Sequence, residues 1–238
     1  MRTSLYRLSL LLPCLAFGTT LVDAQTLAGG ALKSNLDLPF DAGLFNDDTE
    51  DEDAPEIITF YSQQYEGDGI FYCIDHSSSM SQGELPIAKR EVIKNISEFS
   101  SRVQFGIVFF DRSVINFPQS SRPAEANPAM KAAAVAWVNA VPSGGGSCVQ
   151  QGLVQALKYA NTSSASRKVV VYLGDGGGHC NGADQRTYLQ QTIGVIKSQN
   201  FQRAQINTVG VLQVEPVSEE FLRNLATGNG GRYTKIQR

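Results

Sequence analysis

The apolar run Ile70-Phe71-Tyr72-Cys73-Ile74 ends in Asp75-His76-Ser77-Ser78-Ser79, which sets one carboxylate and two hydroxyls at alternate positions. The run reads as a buried β-strand. Alternate residues leaving an extended strand point the same way, so Asp75, Ser77 and Ser79 can turn three hard oxygens toward one point. Hard oxygens with one or two carboxylates, and room left for water, suit Mg2+. A Ser-rich turn capped by an aspartate is the plainer alternative, because serine is common. Two downstream segments favour the metal. Pro142-Ser143-Gly144-Gly145-Gly146-Ser147 is a Gly-rich loop that opens a helical segment from Val149 to Ala160. A second apolar run, Val169-Val170-Val171-Tyr172-Leu173, ends in Gly174-Asp175-Gly176.

These groups meet only if a sheet brings the ends of the two runs together. Val103 to Phe110 and Ile206 to Leu212 also read as strands, and near-continuous apolar runs indicate parallel strands covered on both faces. Helical patterns fall between them at Leu85–Ser100, Asn127–Ala140, Val149–Ala160, Asp184–Gln199 and Val217–Ala226. Pro216 suits a helix entry, and Gly228 with Gly230 suits its exit. Val114 to Phe117 predicts a short edge strand ended by Pro118, Arg232 to Ile236 a final strand, and Ile57 to Tyr61 an initial pairing strand. The alternation predicts an α/β fold: a doubly wound, mostly parallel sheet flanked by helices on both faces. Its ligand crevice lies beyond the strand C-termini, where Asp75 and Asp175 fall.

In this order the motifs resemble a von Willebrand factor type A (vWA) domain, whose metal-ion-dependent adhesion site reads Asp-x-Ser-x-Ser, then a Gly-Gly-Thr loop, then Thr-Asp-Gly. The resemblance runs from about Ile57 to the C-terminus and implies a vWA/Rossmann-like fold. Carried over residue by residue, it implies metal ligands Asp75, Ser77, Ser79, Ser147 and Asp175 around Mg2+ or Mn2+, with Asp175 binding directly or through water. It also implies a protein partner whose acidic side chain fills an open coordination position. Two departures stand out. Ser147 keeps the hydroxyl of the usual Thr but lacks the β-branch that stiffens χ1. Gly174 replaces the Thr before the aspartate, and Gly176-Gly177-Gly178 follows, so the backbone around Asp175 has extra freedom.

The remaining sequence bounds the setting. Residues 1–24 read as a signal peptide: Arg2 and Arg7, an apolar stretch from Leu8 to Phe17, then Val22-Asp23-Ala24. That stretch is too short to span a bilayer, so no integral membrane segment is expected after its removal, and the mature chain is expected to be secreted or periplasmic. Residues 25–56 read as an acidic linker or tail, whose end from Asn46 to Asp53 has no apolar period and is expected to be solvated, and 57–238 as the vWA domain. A tethered acid can reach millimolar effective concentration, which makes the tail a candidate competitor for the metal; a plain spacer is the simpler reading. The net charge of −3 hides an asymmetry, since from Ile57 onward 17 Lys and Arg face 13 Asp and Glu. That excess is too small and scattered to favour nucleic acid.

Cys73 lies mid-strand and reads as a buried thiol. Cys148 and Cys180 both map to the metal-bearing rim, where an exported chain makes their disulfide plausible; two free thiols are the alternative. His76 and His179 map there too, but no paired Cys or His spacing supports zinc. Gly144-Gly145-Gly146-Ser147 lacks the Lys of a P-loop, and Gly145-Gly146-Ser147-Cys148-Val149 fails the nucleophile-elbow pattern at its last position. No general base stands near a nucleophile, so no enzyme is expected. The expected function is metal-dependent binding of a protein partner. A structural or assembly module, in which the ion merely ties loops together, is the alternative.

Overall fold

Four segments carry apolar side chains on both sides, and a strand without a polar face must be covered above and below. The computed structural model describes residues 55–236, apart from 179, 181, 183, 212 and 213. Two strands open the described region, β1 (Ile57–Phe60) and β2 (Gln63–Glu66), followed by β3 (Gly69–Asp75), a 3-10 turn (Ser78–Gln82) and α1 (Glu84–Glu98). Next come β4 (Gln104–Phe110), β5 (Val114–Phe117), β6 (Ala124–Glu125), α2 (Pro128–Ala140) and α3 (Val149–Thr162). The chain continues through β7 (Lys168–Gly174), α4 (Gln185–Gln199), β8 (Gln205–Gly210), α5 (Pro216–Thr227) and β9 (Tyr233–Lys235).

The main sheet runs β5-β4-β3-β7-β8-β9, with β6 also on β4. Strands β4, β3, β7, β8 and β9 are parallel, and β5 and β6 run antiparallel to β4. Alternation splits each central strand between two cores. Ile70, Tyr72 and Ile74 pack with α1 and α2, whereas Phe71 and Cys73 face α3, α4 and α5. The doubly wound sheet predicted from the apolar runs is therefore present. Among the described residues no helix is long and apolar enough to cross a membrane. The signal-like segment 1–24 and the acidic stretch up to Asp53 lie outside the described residues.

The initial pairing strand expected at Ile57 to Tyr61 is present as Ile57–Phe60, and its partner is β2, in an antiparallel hairpin apart from the main sheet. Its turn is Tyr61-Ser62, both with positive φ (49° and 61°). That conformation normally calls for Asn-Gly or a similar pair, so the sequence carried no hairpin signal here. Burial of Ile58, Phe60 and Tyr65 offsets the unfavourable turn. Trp137 is half-buried and packs on Phe109 and Phe117 at the edge of the core. Asn95, within a glycosylation-like triplet, is buried and its amide donates to the Glu91 carbonyl at 3.0 Å.

Helix α3 carries the Ser147 loop at its start, and its seating on the sheet depends on close approach at Gly152. A Cβ there would stand 2.5 Å from the fully buried Phe110 ring. Phe110 stacks on Tyr172 and has no free direction to yield. Gly152→Ala gains up to about 1 kcal/mol of helix propensity, but overpacking costs about 1–3 kcal/mol. The expected outcome is a net loss of about 1–2 kcal/mol, read by urea denaturation; equal or greater stability would show that α3 sits more loosely than described.

Candidate metal centre

Asp75 is the last residue of β3 and lies between β4 and β7 at the C-terminal edge of the parallel strands. Its side chain leaves on the α3 face with Phe71 and Cys73, and it is fully buried. Oδ1 accepts from the Ser77 amide at 2.7 Å, which turns the chain back over the strand end. Oδ2 accepts from Ser147 Oγ at 3.1 Å. The Ser77 and Ser79 hydroxyls lie 3.0 Å apart. Ser77 is buried and Ser79 exposed, so the pair runs from the floor of the site to its mouth.

The Gly-rich loop is laced to this tip. The Ser78 amide donates to the Gly145 carbonyl at 3.0 Å, and the Gly144 amide to the His76 carbonyl at 2.6 Å. The Gly177 carbonyl lies 2.8 Å from the same Ser147 Oγ, so the two acceptors share its one proton and together orient a hydroxyl that lacks the help of a β-branch. The third segment closes on itself, the Gly177 amide donating to Asp175 Oδ1 at 2.8 Å. Gly176 has φ +73°, a conformation an L side chain rarely adopts. Ser77, Ser79, Ser147 and Asp175 line one cleft of about 240 Å³, with Gln185, Glu215 and Ser218 on its far side. Asp75 stands behind Ser147. All five residues predicted from the sequence are thus brought together.

Burial pushes the Asp75 carboxyl up, the Asp175 carboxylate pushes it further, and the bonds from Ser77 and Ser147 oppose both; the result is about 7. A fully buried carboxylate beside a second one is stabilised in its charged form by a nearby cation. The donor set around them is oxygen only. Asp75 and Asp175 supply its carboxylates, and Glu215 lines the same cleft. Two carboxylates with neighbouring hydroxyls fit a hard divalent cation such as Mg2+ or Mn2+ and suit zinc poorly.

Cys148 and Cys180 form a disulfide, with Cα atoms 4.7 Å apart. It joins the residue after Ser147 to the segment following Asp175. Cys73 is a buried free thiol, and burial raises its pKa well above the ordinary value. His76 is buried with Nδ1 2.8 Å from the Pro142 carbonyl and Nε2 3.9 Å from Asp111 Oδ1. His179 lies outside the described residues. Sequence reasoning missed Asp111. Its Oδ2 accepts from the Gly145 amide at 2.9 Å and its Oδ1 from Ser113, so it braces the Gly-rich loop from β4. Burial raises its pKa, but those bonds and His76 outweigh it and hold the carboxyl below its usual range. The available signal was its place: Asp111-x-Ser113 ends an apolar run just as Asp75-x-Ser77 does.

The family model for the von Willebrand factor type A domain matches residues 70–238. The chain belongs to the vWA family. No curated protein matches the sequence. Among solved structures this vWA chain is similar to a von Willebrand factor type A protein from Catenulispora acidiphila (20% identity, TM-score 0.62, 74% of this chain and 40% of that one). It is similar to the pilus adhesin SpaC from Lactobacillus rhamnosus GG in its open conformation (12% identity, TM-score 0.58, 78% of this chain and 29% of that one). It is also similar to the vWF domain of the type V pili tip protein Mfa5 from Porphyromonas gingivalis (12% identity, TM-score 0.52, 71% and 88%). The match spans less than half of the first two chains, and identities this low establish the shared fold.

Two outcomes follow from the geometry. The Asp75 carboxyl is raised in the folded state above its ordinary value, so its effect is absent at acid pH and costs stability as pH climbs toward 7. In chelator, Asp75→Asn should therefore gain on the wild type between pH 5 and pH 8 by a few kcal/mol, on the order of 1.4 per pKa unit. Urea denaturation at both pH values reads this, and a pH-independent difference would contradict it. The disulfide closes a loop across a separation of 32 residues, which contributes about 3–4 kcal/mol in the chain-entropy model. The paired Cys148→Ser, Cys180→Ser variant should lose stability on that scale. Thiol counting on the secreted, denatured, unreduced protein should find Cys73 alone, and detection of Cys148 or Cys180 as free thiols would exclude the bond.

Proposed function

We propose that the chain is an exported vWA module that binds a protein partner through a divalent cation, Mg2+ or Mn2+, held by Asp75, Ser77, Ser79, Ser147 and Asp175. The observation that carries this reading is the pair of adjacent carboxylates, one fully buried, gathered with the Ser77, Ser79 and Ser147 hydroxyls at one cleft. When bound, the cation supplies a coordination position for an acidic side chain of the partner. Asp75 anchors the charge from the floor, Asp175 from the rim, and the serines complete the oxygen set. Two carboxylates nearly neutralise a divalent ion, so a third from outside is tolerated rather than strongly drawn. Glu215 at the cleft adds further negative potential. Modest, metal-dependent affinity is the consequence, with specificity set by the surrounding loops.

The neighbours include a pilus adhesin and a pilus tip protein, which supports a role in adhesion or assembly outside the cytoplasm. The signal-like N-terminal segment and the disulfide support export. Binding rather than catalysis is favoured because the described histidine, His76, is engaged with Pro142 and Asp111 instead of a serine hydroxyl.

Titration calorimetry with Mg2+ and Mn2+ tests the ligand set. Asp75→Ala should abolish binding with the domain still folded, and Ser147→Ala should weaken it about tenfold or less, as a neutral ligand is removed. Unchanged affinity in Asp75→Ala would sink the assignment. A pull-down of partners with and without chelator separates recognition from structure: loss of partner from a domain that stays folded supports metal-bridged binding, and retention supports the assembly alternative.

A further inference from the structure

Position 174 has no room for a side chain, and the hydroxyl of Tyr172 takes that room. In the parallel register Tyr172 stands opposite Cys73. Alternation then places Tyr172, Gly174, Cys73 and Asp75 on one face of the sheet. The Tyr172 ring is fully buried and stacks on Phe110, centroids 5.9 Å apart at 29°. A Cβ on Gly174 would stand 2.6 Å from the phenol oxygen and 2.8 Å from the Cβ of Asp75. The phenol thus ends beside the carboxylate at the floor of the cleft. A residue two positions lower on the strand delivers a hydroxyl where the residue before Asp175 contributes only backbone.

This hydroxyl is buried and has no hydrogen-bond partner of ordinary geometry. An unmade hydrogen bond of that kind is costly for a folded protein. Burial first, then the Asp75 and Asp175 carboxylates, keep the phenol protonated, against a smaller opposing effect of the Gly176 amide. It is a neutral donor beneath two acids. Tyr72 provides a comparison, being equally buried and likewise unpartnered. Its side chain belongs to the opposite core, with Ile70 and Ile74, and the acids nearest to it are Glu91 and Glu98.

We propose that Tyr172 is a positioning residue of the cation site: its O–H, unpartnered in the protein alone, turns its one proton to the Asp75 carboxylate when the ion is bound and fixes that carboxylate in the arrangement that takes the ion. The proposal rests on the metal-binding reading above. It gives Gly174 a physical cause: any side chain there would displace the phenol. It also makes Tyr172→Phe a probe that removes one oxygen and leaves the stacked ring in place.

The test is calorimetric titration of the full secreted chain with Mg2+ and with Mn2+, beside thermal unfolding in chelator, for the wild type, Tyr172→Phe and Tyr72→Phe. Loss of a hydrogen bond to a charged group corresponds to about a tenfold rise in Kd. Tyr172→Phe should show that rise with no loss of melting temperature in chelator, because removing an unpartnered hydroxyl is neutral or stabilising. Tyr72→Phe should bind metal as the wild type does. Equal affinity in the wild type and Tyr172→Phe overturns the proposal, and so does an equal loss in both variants, which would mark a general core effect. Should Tyr172→Phe not fold, a fluorinated tyrosine placed at 172 decides: its resonance should shift on saturation with Mg2+, and an unmoved resonance overturns the proposal. A wild type that binds neither ion removes the metal reading and this one with it, whereas a binding wild type with an unaffected variant removes this one alone.

Discussion

Two carboxylates are set side by side at the dry edge of a parallel sheet, and the rest of the site is arranged around that constraint. Asp75 closes β3 and Asp175 follows β7, strands paired in register as neighbours. Adjacent strands lie about 4.8 Å apart, so the fold itself forces the two acids together. Helices on both faces exclude water from one of them. Burial first, and the neighbouring Asp175 carboxylate second, raise the Asp75 carboxyl to about 7 when nothing but protein surrounds it, and a pair so placed takes up either a proton or a cation. The serine hydroxyls cannot relieve the repulsion, because they carry no charge. They can only complete an oxygen shell around something that does.

The backbone that presents these groups is unusually rich in glycine, and specific contacts restrain it. Gly176 is required by its positive φ, and Gly174 by the phenol beneath it. The freedom this brings is countered from three sides. Ser147 bridges the Asp75 carboxylate to the Gly177 carbonyl. The disulfide ties the start of α3 to the segment after Asp175. Asp111 holds the Gly145 amide from the end of β4. The loop is therefore arranged beforehand, and under the proposed function that lowers the ordering cost of binding.

Much of this was legible in the residues. Four apolar runs without a polar face could only be central parallel strands, and their ends located Asp75 and Asp175 before any coordinates. Gly-rich Pro142–Ser147 before a helical pattern located the third segment. What escaped reading had physical reasons. The β1–β2 hairpin turns on Tyr61-Ser62, a pair without the Gly or Asn that two positive φ values favour, and the burial of Ile58, Phe60 and Tyr65 offsets it. The two-residue β6 is too short to show a period, and it exists through pairing with Phe105 on β4. Gly174 read as a departure that loosens the site, because its explanation is Tyr172, a residue whose position inside an apolar run marks it only as core. Side chains that reach along a strand to a site leave no local pattern in sequence.

The central claim is that the paired acids exist to hold a divalent cation. Anomalous diffraction from crystals of the secreted chain grown with Mn2+ tests it most directly. The account predicts a strong anomalous peak in the cleft between Asp75 and Asp175, in contact with protein oxygen and free of sulfur or nitrogen ligands. No peak there at Mn2+ concentrations that label other acidic positions on the same molecule would contradict it.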